Sequence, residues 1–140
     1  MTPERWLLTG GAGYIGAHIA DEFICSDKSV VIIDDSIVRG TTSKRLVKIL
    51  RDSGAKEIHF RSVSPPIIAP CFLGIDTPKK DDLIAANMSV EELKDYLGVD
   101  SLEFLSIDNL KVILGSSDHC FGCFTEKYPV NKPKETHLFD

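Results

Sequence analysis

Apolar positions fall into alternating strand-like and helix-like blocks. Trp6, Leu7 and Leu8, within Arg5–Thr9, form a short apolar run that predicts a strand. Ile15, Ile19 and Phe23 recur at four-residue spacing, with Ala20 and Ile24 alongside, which is one face of a helix. Val30-Val31-Ile32-Ile33 is a continuous β-branched run bounded by charge, suited to a strand buried on both faces. Leu46, Val47 and Leu50 mark an amphipathic helix that stops near Gly54, and Glu57 to Val63 alternates as a further strand. Ser64 to Cys71 carries three prolines and no clean period, so it reads either as a long ordered loop or as no ordered element. Thr77-Pro78 has the form of an N-cap with proline at the first helical position. Ser89-Val90-Glu91-Glu92 is a capping box, and Val90, Leu93, Tyr96 and Leu97 give its helix an expected buried face ending at Gly98. Ser106 is placed to cap a last helix through Leu114. The polar tail after Tyr128 is expected to fray.

Strand, helix, strand at the start is the unit of a parallel sheet. The expected fold is α/β, three-layer and mostly parallel, Rossmann-like or type I phosphoribosyltransferase-like, and truncated. Its 140 residues suit one domain spanning 1–140, with no internal repeat or linker. Apolar residues make up 43% and charged residues 26%, which excludes disordered and fibrous classes. The net charge of -5 gives no basic footprint for nucleic acid. No apolar run reaches a membrane span, and a glycine-rich start at Gly10 is unlike a secretory leader, so a cytoplasmic protein is expected. Four cysteines are too few for a disulfide scaffold and read as thiols or metal ligands.

Gly10, Gly13 and Gly16 lie between a predicted strand and helix. Glycines there let a backbone turn tightly against a pyrophosphate, while the helix start offers amides and a positive dipole end. Asp34 ends the next strand, where a carboxylate can accept hydrogen bonds from an adenosine ribose. The competing reading is a glycine turn kept for packing. The run from Leu7 to His18 resembles the amino terminus of UDP-glucose 4-epimerases of the extended short-chain dehydrogenases, over about residues 4 to 35. That resemblance implies NAD binding through Gly10, Gly13, Tyr14, Ile15, Gly16 and Asp34. The catalytic tyrosine–lysine pair of those enzymes has only Tyr128 and Lys132 to match it, and prolines flank both, so the spacing reads as coincidence. His18 reads as a polar or capping residue.

The segment from Val31 to Ser43 is the most informative. A buried strand delivers Asp34 and Asp35, and a loop of glycine and hydroxyl residues then opens a helix. Carboxylates suit the 2- and 3-hydroxyls of a ribose, directly or through Mg²⁺, and amides and hydroxyls at a helix start suit a 5-phosphate. This resembles the phosphoribosyl pyrophosphate (PRPP) loop of type I phosphoribosyltransferases. The competing reading is a retained loop that binds nothing.

Over about residues 30 to 130 the resemblance runs on to the amidophosphoribosyltransferases of purine synthesis. It is carried by Asp34 to Lys48, Asp52 to Glu57, Ser64-Pro65-Pro66, Pro70 to Pro78, Ser89 to Glu92, Asp100 to Leu102 and Cys120 to Thr125. It implies catalytic and Mg²⁺-assisting roles for Asp34 and Asp35. It also implies PRPP contacts from Asp34, Asp35, Ser36, Arg39, Gly40, Thr41, Thr42 and Ser43. Neither the glutaminase domain nor the early part of the transferase domain is covered, so full catalysis by this chain alone is not expected. Cys71, Cys120 and Cys123 match three ligand positions of the iron–sulfur branch, and a [4Fe–4S] cluster takes four thiolates. Cys25 is the remaining thiol; zinc and three metal-free relic thiols are the alternatives, with His119 read as a surface residue.

The two resemblances meet at Val30 to Asp35, where both families have an apolar strand ending in an acid. The leading expectation is a PRPP-binding or nucleotide-phosphate-binding chain. An NAD-binding module of epimerase type and a fusion product without function are the alternatives. The expected partner is a small phosphoribosyl or nucleotide ligand, with no nucleic acid and no membrane. An exposed edge of a truncated sheet invites homo-oligomers.

Overall fold

The computed structural model describes residues 5–9, 28–77, 79–116 and 118–131. Among the described residues four strands form one parallel sheet in the order β1-β2-β3-β4: β1 (Arg5–Thr9), β2 (Ser29–Asp34), β3 (Glu57–Ser62) and β4 (Ser101–Phe104). Leu8, Ile32, Phe60 and Leu102 stand in register across all four strands. Ile32 and Phe60 are fully buried, and Val30 and Ile58 extend the same row along the strands. Against this face pack α1 (Thr41–Asp52), through Leu46, Val47 and Leu50, and α3 (Val90–Leu97), through Leu93 and Leu97. Each such side chain contributes about 1.5–3 kcal/mol when fully buried. The alternate residues Val31, Ile33, His59 and Arg61 are only half-buried.

Caps and clamps set where elements stop. The Ser89 hydroxyl accepts from the Glu92 amide and the Glu92 carboxylate accepts from the Ser89 amide, so the expected capping box opens α3. Gly98 closes it with φ 75°, a left-handed turn that favours glycine. Ser106 caps α4 (Ile107–Leu114) by accepting from the Asn109 amide. Arg51, in the last turn of α1, donates to the Lys56 carbonyl at 2.8 Å and to Asp100 Oδ2 at 2.6 Å. The same Asp100 oxygen accepts from the Ile58 amide at 2.7 Å. One carboxylate thereby joins the end of α1, the start of β3 and the entry to β4.

Three expectations are corrected. Val90 does not belong to the buried face; it is 43% exposed. It opens its helix, and Ile84 of the short α2 (Ile84–Asn87) fills the core ahead of it. Thr77 caps no helix, since its hydroxyl accepts from the Cys71 amide at 2.6 Å and Lys79 precedes a single 3₁₀ turn, Lys80–Asp82. β4 and a four-residue α5 (Gly122–Thr125) stand where sequence periodicity marked nothing. Both are short, and pairing with β3 supplies the order that β4 lacks in its own pattern.

The proline-rich stretch is an ordered loop. Pro65, Ile67 and Ala69 are buried within it. The Ile68 and Ala69 amides donate to the Cys123 carbonyl, and Tyr128 Oη donates to the Pro70 carbonyl at 2.6 Å. Tyr128 therefore has a structural post, which agrees with reading its spacing to Lys132 as coincidence. Lys132 lies outside the described residues.

Candidate functional site

The parallel sheet brings the C-terminal end of β2 to one side of the molecule, where loops follow strands and ligands of such sheets bind. Asp34 is the last residue of β2 and only 5% exposed, whereas the adjacent Asp35 is exposed. Burial pushes the Asp34 carboxyl up from its ordinary value, and the neighbouring Asp35 charge pushes it the same way; the Asp35 backbone N–H opposes them. The Asp34 carbonyl accepts from the Val63 amide, which fixes the strand end against β3.

The chain then turns through Ser36 to Gly40 into α1. Gly40 has φ 72°, in the left-handed region. Among the described residues no side chain caps this helix start, and its first turn carries no acid. Lys44 donates its amide to the Gly40 carbonyl, the first helical bond. The first-turn amides are thus left without a side-chain cap, an arrangement suited to an anion. A cleft of about 360 Å³ is lined by Asp34, Asp35, Ser36, Val38, Arg39, Gly40, Thr41, Thr42 and Ser43. All the residues expected to contact PRPP line this one cleft. Two neighbouring carboxylates at one end and a cationic, hydroxyl-rich helix start at the other can hold a polyol and a phosphate together. Two carboxylates also suit Mg²⁺, which binds few protein ligands and relies on substrate phosphates for others.

Sequence reasoning missed what stands behind the loop. The Ile84 amide donates to the Val38 carbonyl at 2.9 Å. Ile84 and Tyr96 press on Gly40, and the Lys44 ammonium lies 3.8 Å from the centre of the Tyr96 ring. These partners come from distant segments, so no local spacing signals them.

Three of the four cysteines lie among the described residues. Cys71 and Cys123 are half-buried and Cys120 is exposed; all three are free thiols. Burial raises the Cys123 thiol, and Cys71 and Cys120 lie near enough to raise it further. The Leu73 and Gly122 amides point at the sulfurs of Cys71 and Cys120. Yet among the described residues no group of three or more ligand-type side chains is arranged to hold a metal ion. The three thiols do not by themselves make a cluster or zinc site, and Cys25 lies outside the described residues. His119 is exposed. Gly10, Gly13, Tyr14, Ile15, Gly16 and His18 of the dinucleotide reading also lie outside them. No helix among the described residues is long and apolar enough to cross a membrane.

Comparison with known proteins points one way. Amidophosphoribosyltransferase 2, chloroplastic, from Arabidopsis thaliana is 55% identical over 114 residues, covering 80% of this chain and 20% of the relative. The Bacillus subtilis amidophosphoribosyltransferase is 46% identical over 121 residues, covering 82% of this chain and 25% of the relative. Among solved structures, the glutamine PRPP amidotransferase from B. subtilis complexed with ADP and GMP superposes with a TM-score of 0.73. It is 48% identical and covers 81% of this chain and 26% of the other. The parallel sheet with its helices matches the type I phosphoribosyltransferase fold of those structures. The chain spans about a fifth to a quarter of the length of these relatives. No family model matches it. None of these findings shows an epimerase part, and they do not support NAD binding or an iron–sulfur cluster.

Proposed function

We propose that this chain binds PRPP with Mg²⁺ in the cleft at the end of β2, as the phosphoribosyl-binding part of an amidophosphoribosyltransferase of purine biosynthesis. One observation carries the reading: the paired carboxylates Asp34 and Asp35 and the uncapped start of α1 open into a single cleft. The strong similarity to amidophosphoribosyltransferases supports it.

The residues divide the work by chemistry. Thr41, Thr42 and Ser43 offer backbone amides and hydroxyls to the 5-phosphate, and Arg39 adds a cation at the rim. Asp34 and Asp35 face the ribose hydroxyls. Bound Mg²⁺ supplies charge neutralisation for the pyrophosphate. Displacement of pyrophosphate builds positive charge on the ribose, and carboxylates held in place stabilise that charge without reorganising. The proton that burial favours on Asp34 must leave before both carboxylates can act as acceptors. Arg39, Thr41 and Thr42 are exposed, so the described residues do not enclose the ligand. Excluding water would take chain outside them.

Calorimetric titration with PRPP and Mg²⁺ tests the reading. Saturable binding that is lost in Asp34→Asn/Asp35→Asn and in Thr41→Trp/Thr42→Trp is the expected result. Equal binding by the wild type and both variants, or none by the folded wild type, would overturn it.

A further inference from the structure

Tyr96 is far from the cleft in sequence and does not line it, yet it meets the phosphate loop at two points. Its ring edge reaches Gly40: a Cβ built there would sit 3.4 Å from Tyr96 Cε1. Its ring face carries the Lys44 ammonium at 3.8 Å from the centroid. Gly40 precedes α1, and Lys44 lies in the next turn, with its amide bonded to the Gly40 carbonyl. One aromatic side chain therefore supports both the turn that aims the helix amides and a cation just behind them.

The first turn of α1 contains no acid that would hold the Lys44 ammonium locally. Lys44 is exposed, and a free lysine side chain would spread its charge over many rotamers. The negative face of the phenol ring selects one position instead. Neither Lys44 nor Tyr96 lines the cleft, so a ring carried by α3 holds the charge outside the space an anion would fill. There the charge adds to the positive end of the helix without occupying the anion's place.

We propose that Tyr96 is a positioning residue for the phosphate loop: it seats Gly40 by contact and fixes the Lys44 ammonium behind the loop, so that both set the affinity for a phosphate group. The inference rests on the phosphoribosyl reading of this cleft and adds a residue that reading does not contain. Tyr96 touches no ligand; it acts through Gly40 and Lys44.

The test is a double-mutant cycle on the full chain, titrated with ribose 5-phosphate at two salt concentrations. Tyr96→Phe keeps ring and contact and is expected to bind like the wild type. Lys44→Met removes one charge behind the site and should weaken binding about three- to fivefold, with a shallower salt dependence. Tyr96→Leu keeps apolar bulk but loses the ring face, and should weaken binding at least as much. In the Tyr96→Leu background, Lys44→Met should then cost less than it does alone. The Gly40 amide resonance should shift in Tyr96→Leu and stay in place in Tyr96→Phe, a readout that needs no ligand. Additive losses, an unaffected Lys44→Met, or a Gly40 resonance indifferent to the ring would overturn the proposal while leaving the phosphate site standing. A folded wild type that binds no ribose 5-phosphate would overturn both, and the amide shift alone would then mark Tyr96 as packing only.

Discussion

Gly40 and Ile84 meet so closely that a Cβ built on Gly40 would lie 2.8 Å from Ile84 Cδ1. The glycine also has φ 72°, where an L side chain is strained. Backbone strain therefore dominates the cost of Gly40→Ala, with a smaller packing cost because the methyl end of Ile84 can shift, and we expect about 1–2 kcal/mol of lost stability. Ile84→Val in that background should recover part of the loss, because it relieves packing and leaves the backbone strain. Thermal melts of the single and double variants check both statements. No recovery would mean that the strain at Gly40 is the whole cost.

Asp34 carries a carboxyl raised by burial and by Asp35. The folded state thus holds its proton more tightly than the unfolded chain does. Stability is highest below the unfolded carboxylate value of about 3.9, falls as pH rises through the folded value, and stays reduced above it. Asp34→Asn should remove this pH dependence and raise neutral-pH stability by about 0.5–2 kcal/mol, the usual range where a functional group is relieved. Urea melts at pH 4 and pH 7 give the comparison. A variant less stable than the wild type at pH 7 would contradict the assignment.

The same titration couples to ligand binding. Ribose hydroxyls and Mg²⁺ need the ionised pair, so affinity for PRPP with Mg²⁺ should fall as pH drops through the raised Asp34 value. Binding should release a proton in that range, read as a buffer-dependent heat of titration. Heats that do not depend on the buffer would argue that Asp34 stays out of the ligand's reach.

Asp100 is expected to act in the opposite sense. Burial works against its ionised form, but the Ile58 amide and the Arg51 guanidinium outweigh it and hold the carboxyl below its ordinary value. Its contribution is present above the unfolded value and disappears as pH falls through the folded one. Asp100→Ala should cost about 1–2 kcal/mol after allowance for solvent screening, since both side chains are partly exposed. Arg51→Lys should lose much of the same, because one ammonium cannot reach the carbonyls and the carboxylate in a fork. Denaturant melts of the two variants decide this.

Tyr128 fastens the C-terminal turn to the proline-rich loop. A Cβ on Gly122 would collide with its ring. Gly122→Ala should therefore displace Tyr128 and loosen Pro70, while Tyr128→Phe loses only the 2.6 Å hydrogen bond, about 1 kcal/mol. Proteolysis near residues 64–71 should be faster in the first variant than in the second. Equal rates would mean that the ring does not hold the loop.

Local pattern was enough to place the strands near 5–9, 29–34 and 57–62, the helix through Leu46 to Leu50, the helices after Ser89 and Ser106, and the acidic end of β2; Thr41 to Ser43, read as part of a polar loop, instead form the first turn of α1. Each rests on interactions within a few residues: alternation of burial, a serine cap, a glycine stop. Tertiary structure decided what local pattern does not encode. β4 exists because β3 offers it a hydrogen-bonding partner. Val90 is exposed because Ile84 takes the core position ahead of it. Thr77 bonds back to Cys71 instead of capping a helix. The backing of the phosphate loop by Ile84 and Tyr96, and the joint hold of Arg51 and Ile58 on Asp100, depend on side chains brought together only by the packing of α2 and α3 beside α1. Short-range order is written in periodicity and caps, whereas contacts between distant segments depend on how whole elements fill a common volume.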